Sequence, residues 1–286
     1  WVIGANYLEL KESNLKKDDG LYGDPSDPYG PYASASASSS KYKSSNFSVF
    51  GNLDYLLSAS LKFSIGLRWE DWEADYSDSL QESFNPTDKM SGGKISLIKN
   101  MTNDTNIYAS LAKGYKQGGF NLGLGLDANA TNKNLAYDPE FLTNYELGIN
   151  TKLLDSKITF NGVLFYSDRE DQQVLISNQT DPSDPNTFSF LTQNAAEGVN
   201  QGLEIKMDID INESLSAFVN LGILKTEIKN WQSRQDLEGR AQAHAPERSY
   251  ALGLNWAPTS HTYLAIDFTG KSSFYYSDSH NNKSKS

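Results

Sequence analysis

The feature that most constrains this sequence is a two-residue alternation of apolar and polar side chains, held over runs longer than an ordinary globular strand. In Gly202-Leu203-Glu204-Ile205-Lys206-Met207-Asp208-Ile209-Asp210-Ile211 every odd position is apolar, and every even one from Glu204 on is charged. Successive side chains of a strand point to opposite faces, so such a run is a strand with one apolar and one charged face. Leu61–Trp69, Tyr145–Leu153 and Tyr250–Trp256 repeat the pattern. Weaker versions occupy 1–10, 45–57, 93–99, 106–117, 157–168, 215–226 and 261–271. The expectation is about eleven strands of roughly 8–15 residues, against roughly 5–6 in ordinary sheets.

The connections alternate in length. Short ones fall near Ser58–Ser60, Asn100–Thr105, Leu154–Ser156, Asn212–Ser214 and Ala257–Ser260, rich in the turn formers Asn, Asp, Ser and Pro. Long ones fall near 11–44, 77–92, 118–138, 169–195 and 227–247. An antiparallel up-and-down meander with this alternation collects its tight turns at one end and its long loops at the other, as transmembrane barrels do. The Ser/Ala/Lys-rich stretch 32–46 is expected to be a mobile part of the first long loop. No linker divides the chain into domains.

Composition narrows the alternatives. No stretch approaches 18 apolar residues, which excludes a helical membrane protein and leaves a β-barrel open, since a spanning strand needs only every second residue apolar. The aromatic content, 16 Tyr, 13 Phe and 5 Trp, is too high for a disordered chain. A net charge of −11 argues against nucleic acid as a partner. The absence of cysteine removes disulfides, Cys-ligated zinc and thiol catalysis. The chain begins at Trp1 rather than Met and reads as a portion of a longer protein. Alternation alone also fits a soluble β-sandwich, in which the apolar face is the core. Trp69, Tyr145, Tyr166, Tyr250 and Trp256 recur near strand ends on the apolar parity, where an amphipathic ring suits a membrane interface.

Signals of chemistry are weak. Gly123-Leu124-Gly125-Leu126-Asp127-Ala128 imitates a dinucleotide-binding turn but leads into Asn129–Asn134 and Pro139, with no helix to meet a pyrophosphate. His244, His261 and His280 are too far apart for a zinc-helix motif, and there is no Gly-x-Ser-x-Gly elbow. The two Asp-Pro-Ser-Asp-Pro segments, at Asp24–Pro28 and Asp181–Pro185, are turn chemistry. The acidic stretch Glu70-Asp71-Trp72-Glu73-Ala74-Asp75 reads as a solvated rim. No enzyme activity and no cofactor are expected.

From about 106 to 272 a set of motifs follows in order: Gly114-Tyr115-Lys116-Gln117-Gly118-Gly119-Phe120-Asn121; Tyr137-Asp138-Pro139-Glu140; Asn144-Tyr145-Glu146-Leu147-Gly148; Leu154-Asp155; Leu164-Phe165-Tyr166-Ser167-Asp168 with Asp171-Gln172-Gln173-Val174; Asn194-Ala195-Ala196 before Gly202-Leu203-Glu204; and Ala245-Pro246. In this combination the chain resembles the barrel domain of TonB-dependent outer-membrane receptors. The resemblance implies an all-β fold, an antiparallel up-and-down meander forming part of a transmembrane β-barrel, about eleven of 22 strands. It implies that 1–286 is barrel domain, with the plug domain and the final barrel strands outside this chain. The implied function is active, TonB-dependent uptake of a scarce nutrient across the bacterial outer membrane, with a ferric siderophore as cargo. A passive porin or a soluble all-β binding module are the alternatives. The implied partners are the TonB complex (through the plug), outer-membrane lipid and a metal-chelate ligand. Three long loops, 11–44, 118–138 and 169–195, are expected at one end on the cell surface, with Tyr22, Tyr29, Tyr32 and Phe120 as candidate ligand-binding residues.

Overall fold

A computed structural model describes residues 1–22, 32–79, 83–121, 136–179, 188–231, 234–277 and 283–284. The strands are β1 (Val2–Tyr22), β2 (Tyr32–Ser58), β3 (Leu61–Asp78), β4 (Ser83–Phe84), β5 (Thr87–Asn100), β6 (Thr105–Lys116), β7 (Gly119–Phe120), β8 (Ala136–Tyr137), β9 (Glu140–Leu153), β10 (Ile158–Gln179), β11 (Phe188–Asn212), β12 (Leu215–Trp231), β13 (Arg248–Thr259) and β14 (Thr262–Lys271). One antiparallel sheet runs β1-β2-β3-β5-β6-β9-β10-β11-β12-β13-β14, with β4 beside β3. Every long strand pairs with its neighbours in sequence, as the run of hairpins requires. A separate two-stranded sheet, β7-β8, lies against the polar face, and the large sheet is not closed.

The long connections are shorter than their composition suggests, because the ladders climb into them. Pairing of β1 with β2 continues from Lys11↔Lys43 to Tyr22↔Tyr32, so most of 11–44 is hairpin. The Ser/Ala-rich residues 32–46, expected to be mobile, form the first half of β2. Their alternating small side chains are compatible with a ladder whose backbone bonds are made by β1 throughout and by β3 from Ser40 on. β10 and β11 likewise extend to Gln179↔Phe188, through a bulge near Asp171. Strands therefore reach 27 residues in β2, far above the expected length.

The two faces differ in what covers them. On the apolar parity Leu67, Trp69, Ile95, Leu111, Tyr145, Leu147, Leu164, Tyr166, Ile223, Tyr250, Leu252 and Trp256 are exposed. Leu203, Ile205, Met207 and Ile209, expected to be exposed as well, are half-buried by their cross-strand neighbours Leu164, Gly162, Phe160 and Ile158 on one side and Ile223, Leu221, Val219 and Ala217 on the other. None of the four belongs to a protein core. The polar parity carries hydrogen-bonded side chains, such as Asn144 with Ser167 and Glu146, and Asn161 with Asn150. Towards the loop end the connecting segments fold over this polar face and make the small cores there. A soluble sandwich would do the opposite and bury its apolar face.

Candidate functional site

The site of interest is the polar face where the long connections gather. On β3 the apolar residues change parity. Leu67 and Trp69 are odd, whereas Trp72, Ala74 and Tyr76 are even and buried. Below them Arg68 and Glu70 lie on the same even parity. The Glu70 carboxylate accepts from Arg68 Nη2 at 2.6 Å, from the Tyr115 hydroxyl at 2.9 Å and from Asn46 Nδ2 at 2.5 Å. Glu70 is thus a buried, fully bonded charge, while Glu73 and Asp75 on the other parity are exposed. The solvated rim read from the sequence holds for these last two and fails for Glu70.

Tyr115 reaches this network although the β6–β9 register runs unbroken to Lys116↔Glu140. Exposure alternates up to Lys113, both Lys113 and Gly114 are exposed, and Tyr115 then faces the polar side. Beyond it the chain crosses the polar face. The Phe120 ring sits 5.7 Å from Tyr42, 5.4 Å from Tyr76 and 6.0 Å from Phe84, joining rings from β2, β3 and β4. Trp72, Ala74 and Met90 are buried beneath, with Tyr42, Tyr115 and Phe120 against them. On the far side Asn121 is tied to β11: its Nδ2 donates to the Thr192 carbonyl at 2.9 Å, and the Thr192 N–H donates to its Oδ1 at 2.7 Å. Asn194 donates to the carbonyls of Asp138 and Asp171, both at 2.8 Å, and Gln173 Nε2 donates to that of Gln117 at 2.8 Å. Both ends of the 117–139 connection are therefore pinned across the inside of the sheet.

The motif Gly118-Gly119-Phe120-Asn121 gains a physical reason. A Cβ on Gly118 would lie 2.5 Å from Asp88 Oδ2 and 2.6 Å from the Tyr137 carbonyl oxygen, and one on Gly119 would strike the Tyr137 ring at 2.6–3.2 Å. Gly114 is different: nothing lies within 4 Å of a Cβ there. Burial, and then the Asp138 charge, holds the Asp88 carboxyl above its ordinary range. A second core, Ala195, Ala196, Ile228, Trp231 and Leu237, is built where 234–247 folds back on β12, with Gln235–Leu237 as one 3-10 turn.

Of the residues picked from sequence, Phe120 lies at the centre of the aromatic cluster. Tyr22 and Tyr32 pair directly at the far end of the β1–β2 ladder, in a different place from Phe120. Tyr29 is outside the described residues. The reading missed Tyr42, Tyr76, Phe84 and the Arg68–Glu70–Tyr115 network. The signal was present for Tyr76, since Trp72-x-Ala74-x-Tyr76 shows the parity change in sequence.

Residues 1–286 match the family described as TonB dependent receptor-like, beta-barrel, over their whole length. The chain belongs to that family. Its barrels are proteins of the bacterial outer membrane, and the family is one of transport receptors. The fold is also that of solved receptors. The ferric yersiniabactin uptake receptor FyuA from Yersinia pestis superimposes with a TM-score of 0.69 at 18% identity, over 98% of this chain and 42% of that one. The siderophore receptor PiuA from Acinetobacter baumannii gives 0.72 at 17% identity, over 98% and 44%. The ferric citrate transporter FecA gives 0.67 at 16% identity, over 97% and 40%. This receptor barrel thus spans less than half the length of these solved structures.

Proposed function

We propose that the chain is part of the wall of an active outer-membrane importer that takes up a scarce metal chelate, a ferric siderophore, with energy delivered by TonB through a plug domain. The apolar face contacts lipid and the polar face surrounds the transport path. The observation that carries the reading is the aromatic cluster of Tyr42, Tyr76, Phe84 and Phe120 on the polar face at the loop end. Aromatic faces and amide donors suit a large organic chelate, which presents flat apolar ligand groups and carbonyl oxygens. A bare ion needs a compact set of oxygen or nitrogen ligands. The neighbours named for ferric yersiniabactin, siderophore and ferric citrate support the same class of cargo. Tyr22 and Tyr32, paired at the end of the β1–β2 ladder, belong to the proposal as a second contact, together with Tyr29 from the sequence between them. The receptor performs no covalent step on its cargo.

The test uses the full-length receptor in iron-starved cells, with radio-iron loaded on catecholate, hydroxamate and citrate chelates as separate probes. Tyr42→Ala combined with Tyr76→Ala and Phe84→Ala is expected to abolish uptake of the one chelate the wild type accepts, while the barrel stays resistant to cold SDS. Uptake at the wild-type rate in that variant would remove the cluster from the path.

A further inference from the structure

One polar atom in the aromatic cluster has no partner. Trp72 and Met90, each 1% exposed, form the floor of the cluster, and the Trp72 Nε1–H finds no acceptor among the described residues. A buried donor left unpaired is destabilising, and buried polar groups are otherwise almost always bonded. Hydroxyls nearby are engaged: that of Tyr76 donates to Asp78 at 3.0 Å and that of Tyr115 to Glu70 at 2.9 Å. The cover over this floor is a ring brought from outside the large sheet. Phe120 belongs to the two-residue strand β7, whose partner is β8. Its ring is surrounded by Tyr42, Tyr76 and Phe84, yet Phe120 is only half-buried. The backbone on either side is fixed, by Gly119 seated against the Tyr137 ring and by the two bonds of Asn121 to Thr192. The ring can therefore leave the cluster by a change of side-chain rotamer while its backbone stays in place.

We propose that Phe120 is a built-in occupant of the cargo site: its ring fills the place that an aryl group of the chelate takes, and the arriving group turns it out. The inference rests on the aromatic cluster being the cargo site, and adds to that reading a competing ring and a chemical class. Tilted and stacked rings such as Tyr42, Tyr76 and Phe84 accept a flat aromatic group. An aryl group with an oxygen at its edge also gives the Trp72 N–H the acceptor that a phenylalanine ring does not carry. The exchange keeps Trp72 and Met90 covered in the unloaded receptor. It also makes the site selective, because a group without the oxygen would leave the buried donor unpaired and gain nothing over Phe120 itself.

The experiment measures binding of radio-iron chelates to de-energised cells that carry the full-length receptor. The probes are the ferric complexes of a tris-catecholate, a trihydroxamate and citrate, of which only the first has aryl groups. The wild type should bind the tris-catecholate complex. Phe120→Ala should bind it about tenfold more tightly, since self-occupancy lowers the apparent affinity by the fraction of receptors with a free site, about one in ten. Trp72→Phe keeps an apolar ring without the donor and should bind it about tenfold more weakly. Unchanged or weaker binding by Phe120→Ala would overturn the proposal, because the ring would then be a wall of the site or no part of it. Unchanged binding by Trp72→Phe would also overturn it, as would binding of the hydroxamate or citrate complex in place of the catecholate. Each of these results leaves the importer reading intact, which the triple variant at Tyr42, Tyr76 and Phe84 tests separately. Binding of none of the three chelates by the wild type would overturn both. Should Phe120→Ala lose the cold-SDS mobility of the folded barrel, Phe120→Leu takes its place, and a gain in affinity is again required.

Discussion

Gly118 and Gly114 stand four residues apart in one motif, yet structure gives them different weights. Gly118→Ala must push its methyl into the backbone carbonyl of Tyr137 and the Asp88 carboxylate, an overpacking expected to cost about 1–3 kcal/mol. Gly114→Ala meets open space and should stay within about 0.5 kcal/mol. Urea titration of each variant folded into lipid vesicles reads the difference, and equal midpoints would contradict the packing. Asp88 adds a pH dependence. Its carboxyl is raised by burial and by Asp138, so the charged form is the disfavoured one. Its contribution to the anchoring of 117–139 is complete below the ordinary Asp value of about 4 and is lost as pH rises through the raised value. Proteolysis within 117–139 should quicken across that interval, and Asp88→Asn should remove the change.

Among elements, β11 states the alternation most plainly, and its two faces should respond differently to substitution. Ile205→Arg on the apolar parity should cost about 2–4 kcal/mol if it lies near the midplane, and Lys206→Ala on the polar parity much less. Equal losses in the same vesicle titration would reverse the assignment of faces. The placement of Gly119–Asn121 across the sheet depends on a residue outside any long strand. Asn121→Ala removes both bonds to the Thr192 backbone, and the stranded groups should cost about 1–3 kcal/mol locally. Hydrogen exchange at the Thr192 amide should speed up accordingly, while exchange in the middle of β11 is unchanged.

Among the described residues the long strands form one open sheet, with β1 and β14 each paired on one side only. Unpaired backbone groups at such edges find no partner in hydrocarbon. Residues 1–286 expressed alone in detergent are therefore expected to give a β-type circular dichroism spectrum without the heat-dependent gel mobility of a closed barrel. A heat-modifiable species from residues 1–286 would show that the edges satisfy each other. The full-length receptor should show the shift.

The strand count, the nearest-neighbour order and the choice of apolar face were legible in the sequence, because side-chain direction in a strand has a period of two and needs no long-range information. The family was legible from motifs such as Gly114–Asn121, although their reasons were not. How far the ladders climb was not legible. Residues 11–22 and 32–44 lack an apolar periodicity, and it is their register with one another, and of 40–44 with β3, that makes them strands. The site was half legible. Phe120 stood out in its motif, whereas Tyr42, Tyr76 and Phe84 lie on three other elements and meet it only because the segment up to Asn121 turns inward across the sheet. Sequence alone fixed which face each side chain of a regular strand takes. The tertiary structure decided which distant side chains share a place on that face, since rungs and crossings join residues tens of positions apart by backbone register, which local composition does not encode.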